Sequence, residues 1–225
     1  MSASFATAST PAAWPAPQAA RMAPPSDDLS LVGPTVTFSR DQEIHGEGEP
    51  AEHVYKVVRG AVRAFRILAD GRRQISDFYL PGDTFGLEAG LTYRTSAEAL
   101  IDTQVIVVRR GSLTDGAAED SDLARRLWRL AVSDLQRSQD HVLMLGRRSA
   151  AERVASFLMD LAERMKAGSR LELPMSRQDI ADYLGLTIET VSRTLTQFQE
   201  SGLIEVPACR SIRLPDLRAL AELCE

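Results

Sequence analysis

Cysteine is nearly missing: Cys209 and Cys224 are the only two in 225 residues. One falls in a hairpin-like segment and the other near the C-terminus. That excludes a disulfide framework and a thiolate-spaced metal site, and it fits a reducing cytoplasm. Long apolar runs are missing too. Nothing approaches the ~20 residues of a membrane-spanning helix, so no membrane partner is expected. An excess of positive charge is also lacking, with 26 Lys and Arg against 31 Asp and Glu and a net charge of −5. A nucleic-acid partner would therefore be held by a few local contacts and not by a global basic field. There is no P-loop, no zinc-spaced His/Cys cluster and no nucleophile elbow. No catalytic residue, metal site or enzymatic activity is assigned.

What is present changes texture along the chain. At 44% hydrophobic, 225 residues can build two modest domains. Residues 1–30 are rich in Ala, Pro and Ser, and Pro11, Pro15 and Pro17 interrupt every apolar stretch. No basic n-region precedes one, so a flexible tail is expected and a signal peptide is not. From about Thr35 to Arg109 short strands alternate with turns. The strands are read at Val54–Arg59, Ala61–Ile67, Arg73–Tyr79 and Thr103–Val108, and the turns at Gly46/Gly48, Gly60, Asp70-Gly71 and Pro81-Gly82-Asp83. In Ala61–Ile67 a period of two puts Val62, Ala64 and Arg66 on one side and Ala61, Arg63, Phe65 and Ile67 on the other. Asp70-Gly71 between two such runs signals a hairpin, and strands at this spacing predict a β-roll.

Residues 119–146 have a helical period instead. Ala124, Trp128, Ala131, Leu135, Ser138, Val142 and Leu145 recur at alternating steps of four and three, a heptad seam suited to pairing with a second copy. Leu123, Leu127 and Leu130 form a second stripe that can cover the β-roll. Ser149-Ala-Ala-Glu152 is a capping box that opens another helix, whose core stripe is Val154, Phe157, Leu158, Leu161 and Met165.

The segment SRQDIADYLGLTIETVSRTLTQFQESGLIEV, residues 176–206, carries the most specific signal. Ser176 caps a short helix, Arg177–Leu184, packed through Ile180, Ala181 and Leu184. Gly185 and Leu186 turn the chain. Thr187 caps a second helix reaching Ser201, with Gly202 just beyond it. Val191, Leu195 and Phe198 bury one face of that helix; Ile188, Glu189, Ser192 and Arg193 occupy the opposite face near its start. This is a helix-turn-helix with its reading side chains early on the second helix. Arg193 can donate twice to guanine O6 and N7, Glu189 can accept from a cytosine or adenine amino group, and Ile188 suits a thymine methyl. Leu203–Val206 and Ser211–Leu214 read as a two-stranded wing, and Pro215–Leu223 as a closing helix with Pro in its first turn.

A β-roll, a long helix and a winged helix-turn-helix in this order resemble the CRP/FNR superfamily of bacterial transcription regulators, from about Val36 to the C-terminus. The segments GRRSAAERVASFLMDLAER and DYLGLTIETVSR carry the resemblance, and the second is most similar to the FNR/FixK branch. The resemblance implies an α+β chain: a tail over 1–30, a cyclic-nucleotide-binding-like β-roll over 31–117, a dimerisation helix over 118–146 and a winged helix-turn-helix over 147–225. It implies base reading by Glu189, Ser192 and Arg193 of the E-x-x-S-R motif, and phosphate contacts from Ser176, Arg177, Gln178, Thr187 and Thr190. The implied partners are a double-stranded DNA operator resembling TTGAT-N4-ATCAA, a second copy of the chain, and RNA polymerase. The location is cytoplasmic, and control of low-oxygen or nitrogen-fixation genes is the FixK-like expectation.

Departures from the family pattern bear on the effector. Iron–sulfur members use four cysteines, mostly N-terminal; this chain cannot supply them. In cyclic-AMP binders a Glu holds the ribose and an Arg the phosphate, where this chain has Leu87 and Thr95; Arg94 is one place off, and strand alternation would point it elsewhere. His45, His53 and His141 are the candidate haem ligands, though an isolated His is more often a surface or hydrogen-bonded residue. No cofactor is therefore assigned. The alternatives are a ligand-sensing regulator of the cyclic-nucleotide or haem type, or a β-roll small-molecule module acting through protein partners.

Overall fold

The short strands fold as β1 (Thr35–Phe38), β2 (Glu43–His45), β3 (His53–Arg59), β4 (Val62–Ile67), β5 (Arg73–Tyr79), β6 (Thr84–Phe85), β7 (Ser96–Ala99) and β8 (Thr103–Arg109). The computed structural model describes residues 31–147 and 149–224. The flexible tail expected over residues 1–30 lies outside them. Two four-stranded antiparallel sheets form, ordered β1-β8-β3-β6 and β2-β7-β4-β5. Tyr55, Val57, Val62, Phe85 and Val105 are buried in one cluster of this β-roll. Gly60 is fixed by geometry: its φ is +98°, and a Cβ there would lie 2.3 Å from Thr103 Oγ1.

The expected hairpin closes at Asp70-Gly71, where the Gly71 N–H donates to the Leu68 carbonyl at 2.9 Å. Strict alternation along β4 does not hold. Val62, Ala64 and Phe65 are buried while Arg66 and Ile67 are exposed, and Ala61 precedes the strand. Opposite Ala64 and Phe65, β5 bulges by one residue: the two face Asp77 and Ile75, and Ser76 is the extra residue.

The expected 118–146 helix is α2 (Ser121–Arg147), and a separate short helix, α1 (Arg110–Glu119), precedes it. Asp120 separates them in an extended conformation, and its carboxylate accepts the Asp122 N–H at 2.8 Å. Leu130 is buried with Leu31, Val54 and Leu113, and Leu123 and Leu127 pack beside it, so this stripe does cover the β-roll.

The C-terminal part holds α3 (Ala150–Arg164), β9 (Arg170–Glu172), α4 (Arg177–Leu184), α5 (Ile188–Glu200), β10 (Glu205–Ala208), β11 (Ser211–Arg213) and α6 (Leu217–Glu222). Both bonds of the Ser149/Glu152 capping box are made. Met165 caps the end of α3 and, half-buried, packs against the same core as the stripe before it. The wing has three strands, ordered β10-β11-β9. Its first hairpin strand starts later than expected because the N–H groups of Leu203 and Ile204 both turn back to the Phe198 carbonyl, closing α5. Pro207 sits on the edge strand β10, where a missing donor costs little. The closing helix is shorter than Pro215–Leu223. Asp216 caps it by accepting from Arg218 and Ala219 N–H, which leaves Pro215 outside.

Candidate nucleic-acid interface

The two helices of the reading motif begin on side-chain caps. Ser176 opens α4 with a complete capping box: its Oγ accepts the Asp179 N–H at 3.1 Å, and Asp179 accepts the Ser176 N–H at 2.9 Å. Gly185 ends the helix at φ +62°, which favours glycine. Thr187 then opens α5 by accepting the Thr190 N–H at 3.2 Å. Ile180, Ala181 and Leu184 of α4 and Val191, Leu195 and Phe198 of α5 are buried in one cluster, as their spacing predicts. This packing fixes the angle between the helices and leaves one face of α5 outside.

That face presents Ile188, Glu189 and Arg193 exposed and Ser192 half-buried. Glu189 and Arg193 form no ion pair with each other, although they stand at the spacing where one could form. Glu189 has its carboxyl held below the usual carboxylate range, first by its own backbone N–H and then by the Thr187 hydroxyl. It stays an acceptor at neutral pH. Arg193 has no hydrogen-bond partner among the described residues, so its five donors are free for a base edge.

The residues assigned to phosphates surround this face at the starts of α4 and α5. Gln178, Thr187 and, less openly, Thr190 and Arg177 reach the surface. Arg177 donates to Ser192 Oγ at 3.4 Å and so links the two helices. Ser176 is half-buried and its hydroxyl is engaged at 2.6 Å by Asp179. Sequence reading passed over Asp179, although Ser176-x-x-Asp179 is itself a legible capping-box pattern. The elements thus bring Ser176, Arg177, Gln178, Thr187, Ile188, Glu189, Thr190, Ser192 and Arg193 to one end of the α4–α5 pair.

The other candidates stand elsewhere. Leu87 and Arg94 are exposed in the loop between β6 and β7, and Arg110 donates to the Glu88 carbonyl of that loop at 3.0 Å. Arg94 precedes β7, so the strand-alternation argument does not apply to it; exposure alone sets its direction. His45 and His53 line a cavity of about 290 Å³ with Glu49, Tyr55 and Tyr93. Burial pushes the His45 pKa down to about 4, and its ring stacks on Tyr93 at 3.7 Å. His141 lies apart, against Tyr183. Among the described residues no group of three His, Cys, Asp or Glu side chains is placed to hold a metal.

Residues 152–223 match the Crp-like helix-turn-helix domain, and residues 35–120 the cyclic nucleotide-binding domain. The nitrogen fixation regulation protein FixK of Azorhizobium caulinodans is 48% identical over 88% of this chain and 82% of that protein. The FixK of Rhizobium meliloti is 42% identical over 92% of this chain and 98% of that protein. The chain belongs to the CRP/FNR family, in its FixK-like branch. The solved structure of FixK2 from Bradyrhizobium japonicum superimposes with a TM-score of 0.84 at 49% identity, covering 87% of this chain and 98% of that one. The α+β architecture is therefore that of the FixK-like regulators. The protein is a DNA-binding transcription regulator, and its relatives are regulators and not enzymes.

Proposed function

We propose that this FixK-like regulator binds as a homodimer to an inverted repeat resembling TTGAT-N4-ATCAA. Arg193 reads the G, Glu189 the C of the opposite strand, and Ile188 a flanking T methyl, with Ser192 completing the reading set. Ser176, Arg177, Gln178, Thr187 and Thr190 hold phosphates at the helix starts. The observation that carries this reading is the outer face of α5, where Glu189 and Arg193 are exposed and unpaired to each other.

Dimerisation is supported by the outer stripe of α2. Trp128, Leu135 and Val142 are 70%, 58% and 68% exposed in the single chain. Large apolar side chains left in water at heptad spacing are what a second copy would cover, at about 1.5–3 kcal/mol for each one fully buried. Ala131 and Ser138 lie exposed between them, and Ala124 is half-buried. Leu145 belongs to this seam only in part, since it also packs on the core beneath α4. Three segments carry the functions the resemblance gives them, with 31–117 as the sensor-like unit, 118–146 as the dimer helix and 147–225 as the reading unit. The regulator acts in the cytoplasm, chiefly as an activator through contact with RNA polymerase. Its targets are low-oxygen or nitrogen-fixation genes, in keeping with the names of its FixK relatives.

Selection of bound sites from random DNA by the purified, ligand-free protein tests the reading. Recovery of a TTGAT inverted repeat is expected. Recovery of no common sequence, or of one only after an effector is added, overturns it.

A further inference from the structure

We propose that Arg63 and Arg73 are positioning residues for DNA recognition: from the β4–β5 hairpin they hold α4 through Asp179 and Asp182, so that the β-roll itself sets where the reading helix stands. The inference rests on the operator reading above and concerns its geometry.

Each of the two aspartates divides its oxygens between the β-roll and the DNA-facing end. Oδ1 of Asp179 accepts from Arg63 at 3.0 Å and from Arg73 at 2.7 Å, while its Oδ2 accepts from the Ser176 N–H and hydroxyl. Oδ2 of Asp182 accepts from Arg73 at 2.8 Å, while its Oδ1 accepts from Gln178 at 2.6 Å. Ser176 and Gln178 are residues assigned to phosphates. The same carboxylates therefore touch the hairpin on one side and the DNA-contacting side chains on the other. Side-chain exposures of 12% for Arg63, 23% for Arg73, 4% for Asp179 and 12% for Asp182 mean that salt screens these pairs weakly. Losing either arginine leaves a largely buried carboxylate short of its counter-charge.

Neighbouring contacts stiffen the joint in the same direction. Gln74 donates to the Asp182 carbonyl at 2.7 Å. The Phe78 ring lies 5.1 Å from that of Tyr183, and Arg164 of α3 pairs with Asp83 at 2.7 Å. His141 of α2 lies 2.9 Å through Nε2 from the Tyr183 carbonyl. Hairpin, dimer helix and reading unit thus meet on α4. A dimer reads two half-sites at one separation, so the tilt of each α4–α5 pair against the β-roll decides which spacer fits. No ligand is needed to set that tilt.

The test uses the full-length chain and inverted repeats with spacers shorter and longer than N4, together with an isolated half-site, in gel-shift titrations at one salt concentration. Arg63→Ala with Arg73→Ala is expected to lower the preference for the favoured spacer about tenfold, the size of one modest lost coupling. The preference of the isolated half-site for TTGAT over a G-substituted site should stay at the wild-type value. The pair Arg73→Glu with Asp182→Arg should recover spacer selection that Arg73→Glu alone loses. Equal weakening on every spacer, or wild-type spacer selection in the variants, overturns the positioning role. A wild-type protein that prefers no operator overturns the operator reading itself and is told apart by that.

Discussion

Glu189 and Arg193 stand one helical turn apart on α5 and yet are not spent on each other. An exposed pair of that kind would be worth only a few tenths of a kcal/mol, so leaving both open costs the fold almost nothing. Arg193→Ala is expected to cost about 1–3 kcal/mol per half-site and to relax the choice at G. Gln178→Ala should weaken all sequences about equally, since a phosphate carries no base identity. Ile188→Arg would put a second guanidinium on the reading face and should shift preference toward a half-site with an additional G, such as TGTGA. Gel-shift titrations on wild-type, G-substituted and scrambled operators check all of these. Equal loss by Arg193→Ala on every sequence would place its guanidinium on the backbone.

A half-buried carboxylate, Asp77 of β5, gives a second residue-scale expectation. Burial pushes the pKa of Asp77 up to about 6, against the opposing pull of Arg164 and Arg137. A carboxyl whose folded pKa is raised binds its proton more tightly in the native state. Its favourable contribution is full below the unfolded value near 4 and is lost as pH rises through about 6. Wild type should therefore gain stability relative to Asp77→Asn, by up to about 3 kcal/mol, as pH falls from 7 to 4. Urea unfolding of both proteins at several pH values measures it. A gap independent of pH would mean that Asp77 has the same pKa in the folded and unfolded chain.

At the scale of elements, caps decide where helices start. The Ser149 side chain and Glu152 close a reciprocal box at α3, immediately after α2. Ser149→Ala should lower the unfolding free energy by about 1 kcal/mol without altering operator sequence preference. Chemical denaturation and one gel-shift series suffice to see it; a change in base preference would mean that this junction also orients the reading unit. The heptad reading of α2 and the helix-turn-helix were legible for the same reason, since periods of 3.5 and 3.6 persist over many residues. The strand at Glu43–His45, the pair Thr84–Phe85 and β9 were not. They are too short to show a period, and pairing partners distant in sequence define them.

At the scale of the whole molecule, the stripe Trp128, Leu135 and Val142 is an apolar face that the single chain leaves exposed. Trp128→Asp would place an unpaired charge in the seam proposed for a second copy, which would be strongly unfavourable once water is excluded there. Sedimentation should find a monomer whose operator affinity is greatly reduced. A variant that remains a tight dimer would place the seam on another face.

The sequence by itself determined the order of parts and the outward and inward faces of α5. Those follow from capping residues, glycines and helical spacing, which act within a few residues of one another. It also determined the shortage of cysteine that leaves no four-thiolate cluster site. Only the tertiary structure decided that β5 is bulged at Ser76, that Leu145 turns partly toward the core, and that α4 is tied to the β-roll. Arg63 lies 116 residues from the Asp179 it pairs with. No local period announces such a contact, because it forms only where folding brings a hairpin and a helix together.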